Sequence, residues 1–392
     1  MAISLGLIRL IQSDEPGALQ AKQSSTAAFS AIPAVEFTLF SNDSLSTLAM
    51  SGRLIPEQAW DTLLEANYAL DISPIAFSEC IQTINDSLLY LERWDTLPQT
   101  RFWRRIMTLR RDTLLINVAQ TRQVLGKMSV YQWELMEDER QEIYRDSLRD
   151  AFAVANHHDI FLTAGKQHYY QFRKAVPSVS RGVEIFTHIG VDPWFAQAIL
   201  LIESPGQLHT SPVGAYGSFQ LMSQVALEHG LVVNDSIDER ADFDKSAKAA
   251  ASLIRKRCVP QIRHILRKHN LAFRESDLWF RLMVLHAYHA GAGNVAAVLE
   301  EINPTQGGMS LIQAMWKTES GGFKNASQNY SQVALASLLE LDRLLQSLPD
   351  TICREQQVWA NNQTGASQAE DTLVKSVAPP TFDPADIVTV AE

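Results

Sequence analysis

Residues 192–206, DPWFAQAILLIESPG, place one ionisable side chain in an otherwise apolar helix. Asp192 and Pro193 make a helix start, a capping carboxylate followed by a proline at the first helical position. Phe195, Ile199, Ile202 and Glu203 then recur at i, i+4, i+7 and i+8, the spacing of a buried stripe. Ser204, Pro205 and Gly206 stop the helix, so Glu203 falls in its last turn. Apolar neighbours desolvate the carboxylate, and the negative end of the helix dipole opposes a second negative charge. Both effects raise its pKa. A carboxyl that keeps its proton near neutrality can give that proton to a leaving oxygen and later take one back. The bland alternative is a helix-end carboxylate that turns to water.

The residues downstream favour the chemical reading. SPVGAYGSFQLM (211–222) sets Gly214 and Gly217 around a small-residue turn, where backbone can approach a ligand and present N–H groups. The pattern predicts a helix from Ser218 to Gly230, with Gln220 and Met222 in its first turn facing the cleft that Glu203 faces. Glu203-Ser204 followed by SPVGAYGSFQLM resembles the signature of the lytic transglycosylases that cut peptidoglycan, with their goose-lysozyme-like catalytic domain. Further blocks are similar in the same order: IDERADFDKSAKAAASLI (237–254), LHAYHAGAGNV (285–295) and FKNASQNYSQVALASLLELDRL (323–344).

The resemblance implies an all-α, lysozyme-like catalytic domain over 181–349 that cleaves the bond between N-acetylmuramic acid and N-acetylglucosamine with neither metal nor organic cofactor. Glu203 would be the acid/base. Ser211, Gly214, Gln220, Met222, Tyr288, His289 and Tyr330 would be substrate-binding residues, with the Tyr288 hydroxyl bonded to the Glu203 carboxyl. Three positions depart from the family: Ser218 stands where an apolar residue is usual, His289 where asparagine is usual and His286 where a small residue is usual. A cation there would lower the pKa of Glu203. Asp235, Asp238, Glu239, Asp242 and Asp244 form an acidic stretch; Asp242 or Asp244 can cap the alanine-rich helix from about 245 to 257. If Asp238 or Asp242 instead assisted water, the chain would be a muramidase on the same fold. A non-catalytic glycan-binding or assembly protein is the reading from another class.

These residues need a scaffold, and 392 residues suffice for two or three domains. Residues 1–44 read as a poorly ordered lead-in and 350–392 as a polar tail. Residues 45–180 read as a helical accessory domain, open to cell-envelope protein partners. Within it, Phe102, Ile106, Leu109 and Ile116 suit one helical stripe, leaving Arg101, Arg104, Arg105 and Arg111 on a solvated face. Trp94, Trp103 and Trp133 read as core rather than sugar platforms. His157, His158 and Asp159 do not have converging metal-ligand spacing.

Cys80, Cys258 and Cys353 are too few and too scattered for a disulfide framework or a zinc pattern. A net charge of −10 disfavours nucleic acid as a partner. No apolar run reaches the ~18 residues of a membrane span. MAISLGLIRLIQ lacks an early basic residue and is interrupted by Arg9, a poor secretion signal. The resemblance nonetheless implies the periplasm or cell envelope, and peptidoglycan strands as the partner.

Overall fold

The computed structural model describes residues 81–205 and 210–347. The expectations for 1–44 and 350–392, those for the first part of the accessory region (45–80), Cys80 and Cys353 fall outside those residues. The described residues open with a short helix α1 (Leu88–Leu91) and then α2 (Pro98–Thr108), which starts on a proline at its N-terminus. α2 buries Phe102, Trp103, Ile106 and Met107 in the main core, against α13 (Asn325–Ser347).

The expected all-helical region is corrected here. α2 ends at Thr108, Leu109 turns to extended backbone, and Thr113–Val118 forms β1. β1 lies between β2 (Val124–Ser129) and β3 (Ile160–Ala164), antiparallel to both, with a register shift at Ile116/Asn117. Leu115 enters the main core, whereas Leu114, Ile116 and Val118 face small clusters completed by Trp133 of α3 (Val130–Glu134) and Leu148 of α4 (Asp138–Ala151). A strand covered on both faces carries no polar alternation, so its apolar run passes for helix.

The arginine face is corrected too. Arg104 and Arg105 are buried, and Arg104 Nε lies 2.7 Å from Glu340 Oε1 of α13, both side chains 3% exposed. Arg343 holds the other oxygen of Glu340 at 2.9 Å. Trp94 and Trp103 belong to the main core, and Trp133 to a smaller one.

α5 (Phe172–Ile189) ends on Gly190, whose left-handed backbone allows the turn into the next helix. There Asp192 Oδ1 accepts the Trp194 N–H at 3.0 Å, starting α6 (Trp194–Glu203). All ten residues of α6 are buried, so it is a central helix rather than one with a single apolar stripe. α5, α10 (Leu278–Ala290) and α13 pack around it. Residues on both sides of position 181 share this core, from Ile81 to Leu345.

α7 (Ser223–Glu228) is short. α8 (Phe243–Leu253) runs through a π-helical turn, Ile254–Cys258, into α9 (Val259–Lys268). Pro260 has no N–H for the carbonyl four residues back, and the wider turn accommodates it. After α10 come α11 (Ala292–Ile302) and α12 (Met309–Met315). No helix among the described residues is long and apolar enough to cross a membrane.

Arg104→Met should destabilise the protein by about 3 kcal/mol, because Glu340 would be left buried with only one of its cations. The companion double variant Arg104→Met/Glu340→Leu should recover most of that loss in urea unfolding.

Candidate active site

Glu203 is 2% exposed at the end of α6. Burial pushes its pKa up to about 8, while one hydrogen bond from Tyr330 pulls in the other direction. That bond is short, Tyr330 Oη to Glu203 Oε1 at 2.8 Å. Tyr169 Oη bonds the backbone oxygens of Ile202 and Glu203 at 3.2 and 3.0 Å, occupying carbonyls a helix end leaves unpaired. Ser204 Oγ donates to the Ser218 carbonyl at 2.9 Å, tying the acid to the glycine turn. Tyr169, Tyr170, Tyr288 and Tyr330 are all raised by burial, with Glu203 adding to each shift, so they stay neutral beside it.

The glycine segment is a turn of two close bridges rather than a helix start. Ser211 Oγ accepts the Ala215 N–H at 2.9 Å, and Gly214 N donates to the Ser211 carbonyl at 2.9 Å. Tyr216 bridges both Thr210 and Leu221. Gly217 has φ +81°, and a Cβ there would lie 2.0 Å from the Arg240 carbonyl oxygen. α7 therefore begins at Ser223, not Ser218: Gln220 (φ +46°) sits in the turn and Met222 just ahead of the helix. Gln220 Nε2 donates to the Gly217 carbonyl at 2.9 Å.

Arg240, within the acidic stretch, is an organising residue that the sequence reading did not single out. It is buried, its Nη1 reaches the carbonyls of Gly214 and Leu221 at 2.8 and 2.9 Å, and its other face forks onto Asp238. Asp242 caps α8 through the Lys245 N–H at 2.9 Å, and Asp244 pairs with Arg181. These aspartates cap and pair, and none of them lines the cleft.

The role expected for the α10 tyrosine belongs to another residue. Tyr288 Oη donates to the Phe219 carbonyl at 2.6 Å, and the carboxyl is held by Tyr330 of α13. The first tyrosine thus fixes the glycine turn, the second the acid. His289 stacks on the Tyr330 ring at 4.3 Å and 20°, and His286 packs on Phe323. Burial lowers both histidines to about 3, so neither is a cation beside Glu203. Asn294 caps no helix. It lies inside α11, bonding the Ala290 carbonyl and accepting the Gly322 N–H.

A cleft of about 290 Å³ is lined by Gln220, Met222, Arg257, Tyr288, His289 and Gly291, among others. Four residues expected to meet substrate are therefore together: Gln220, Met222, Tyr288 and His289. Ser211 and Gly214 shape the turn without lining this cavity. Tyr330 is fully buried behind His289, so it contacts the acid and not the open cleft. Among the described residues no three His, Cys, Asp or Glu side chains converge as a metal site, and the rings of His157 and His158 pack edge to face on each other.

Two measurements check this electrostatic picture. A carbon-13 titration of Glu203 should have its midpoint near 8, and Tyr330→Phe should move it higher by removing the bond that favours the ionised form. Because the folded pKa is raised, the stability this group contributes is complete below about 4.5 and is lost as pH rises toward about 8. Thermal unfolding of Glu203→Gln should lack that fall and show a more stable protein at the alkaline end.

Residues 187–307 match the family model described as Transglycosylase SLT domain, less than a third of the chain. A comparison with curated proteins found no match. The matched segment holds the acid, the glycine turn, the buried arginine and Tyr288 and His289 of the cleft, and it stops before Tyr330. Within a mostly helical fold, residues 187–307 are similar to a transglycosylase SLT domain, and the likeness extends over that segment of the chain.

Proposed function

We propose that the chain cleaves the β-1,4 bond between N-acetylmuramic acid and N-acetylglucosamine in peptidoglycan, leaving a 1,6-anhydro end, and that it acts in the cell envelope during wall remodelling. The observation that carries the proposal is Glu203: a buried carboxyl with its pKa near 8, held by Tyr330, whose ring stacks on His289 of the cleft lining. At neutral pH such a group is a proton donor. It protonates the glycosidic oxygen as the bond to the anomeric carbon breaks. The resulting carboxylate then takes the proton from the sugar's own 6-hydroxyl as that oxygen closes on the anomeric carbon. No water enters, and the acid ends protonated as it began.

The cleft residues divide the remaining work. Gln220, Met222, Tyr288 and His289 meet the sugars, with neutral side chains that suit an uncharged glycan face. Ser211 and Gly214 hold the turn in shape, and Tyr330 orients the carboxyl. Hydrolysis would call for a second carboxylate flanking the bond. Asp238 and Asp242 are committed to Arg240 and to the α8 cap.

Mass spectrometry of purified sacculi digested with this protein tests the proposal. The expected muropeptides are one water lighter than hydrolysis products. Glu203→Gln should abolish release, and the rate should fall as pH passes about 8, without a histidine inflection at mildly acidic pH. Reducing-end products would make the chain a muramidase. Release retained by Glu203→Gln would mean that the acid lies elsewhere, and no release by the unaltered protein would favour the binding reading.

A further inference from the structure

Arg122 sits where three physical costs coincide. It is 6% exposed in the connection between β1 and β2, with φ +59°, a backbone region that non-glycine residues seldom occupy. Its guanidinium lies at the start of α13, where the helix dipole disfavours a cation. Among the described residues no carboxylate pairs with it, and burial alone lowers its pKa, to about 10, so it remains charged at neutral pH. A buried cation without a counter-ion is costly unless its hydrogen bonds compensate.

Those bonds converge on one place. Nη2 donates to Asn329 Oδ1 at 2.7 Å and to Asn325 Oδ1 at 3.3 Å, and Asn329 Nδ2 donates to the same Asn325 oxygen at 2.7 Å. The guanidinium also rests on Phe102 and Trp103, 5.4 and 5.9 Å from the ring centres. Trp103 in turn bonds Gln332 at 3.1 Å. So Arg122, from the connection between two strands of the small sheet, holds α13 just before Tyr330, and Trp103 of α2, on which it rests, holds Gln332 just after it.

We propose that Arg122 is a positioning residue for the acid: from the sheet it fixes the start of α13 and thereby the Tyr330–Glu203 hydrogen bond. The sheet is then a working part of the site rather than an appendage. The effect on turnover rests on the function proposed above. The effect on the carboxyl does not.

The test uses the full chain with Arg122→Gln, Arg122→Lys, Asn329→Ala and Tyr330→Phe, each first shown to be folded by thermal melting. The Glu203 carbon-13 titration is the readout that does not require activity, and the groups facing the carboxyl there (Tyr169, Tyr170, Tyr288, Tyr330) stay neutral throughout the range. Arg122→Gln and Asn329→Ala should each raise the midpoint in the direction of Tyr330→Phe. The double variant Arg122→Gln/Tyr330→Phe should shift no further than Tyr330→Phe alone, and Arg122→Lys should shift less than Arg122→Gln. On sacculi, kcat should fall about tenfold with KM changed less than twofold, a split that general loosening of the fold would not give. An unchanged midpoint in folded Arg122→Gln and Asn329→Ala, or additive shifts in the double variant, overturns the proposal. If the substitution at Arg122 prevents folding, Asn329→Ala alone decides. No turnover by the unaltered protein sinks the function reading and leaves the titration to decide this one.

Discussion

Everything at this site depends on keeping water from one carboxyl. Glu203 closes a helix whose residues are all buried, and the desolvation that follows outweighs the one bond that would favour its ionised form. The neighbours match that condition. Four tyrosines and two histidines could each bring a charge, and burial holds all six neutral. The site's proton chemistry is thereby reduced to a single exchangeable proton. Had His289 been half exposed, it would have titrated near the working range and coupled its charge to that of the acid.

The scaffold meets this need by distributing the supports. The acid is on α6, the phenol that orients it on α13, and the turn beside it is held by Arg240 and by the Tyr288 hydroxyl of α10. None of these supports is a close sequence neighbour of Glu203. Moving one therefore requires moving packed helices, and packed interiors resist small adjustments. Arg104 with Glu340, and Arg122 with Asn325 and Asn329, extend the same logic to α2 and the sheet.

Much of this was legible in the chain. The proline-capped start of α6, the acid in its last turn and the break at Ser204 follow from local rules, as do the helix ends at Gly190 and Gly291. What local rules missed was long-range. Leu114, Leu115 and Ile116 satisfy helix and strand spacing equally, and only their burial on both faces separates the two. Arg104 looked like a surface charge because its partner is more than two hundred residues away. The exchange of roles between Tyr288 and Tyr330 had no local signal at all: both are tyrosines on apolar helices, and their acceptors are set by how α10 and α13 pack. Arg240 was the findable exception. A lone arginine in an acidic run is the residue most able to gather several loop carbonyls.

Tyr330 carries a practical consequence. The stretch that matches the family ends at residue 307, yet among the described residues the side chain bonded to the Glu203 carboxyl stands beyond that limit, on the helix α13. Excising the recognised segment would retain the whole signature and still strip the acid of its tether. The smallest unit able to do this chemistry is therefore drawn by the packing of the last helix, and a boundary taken from sequence likeness cuts through the middle of the machine.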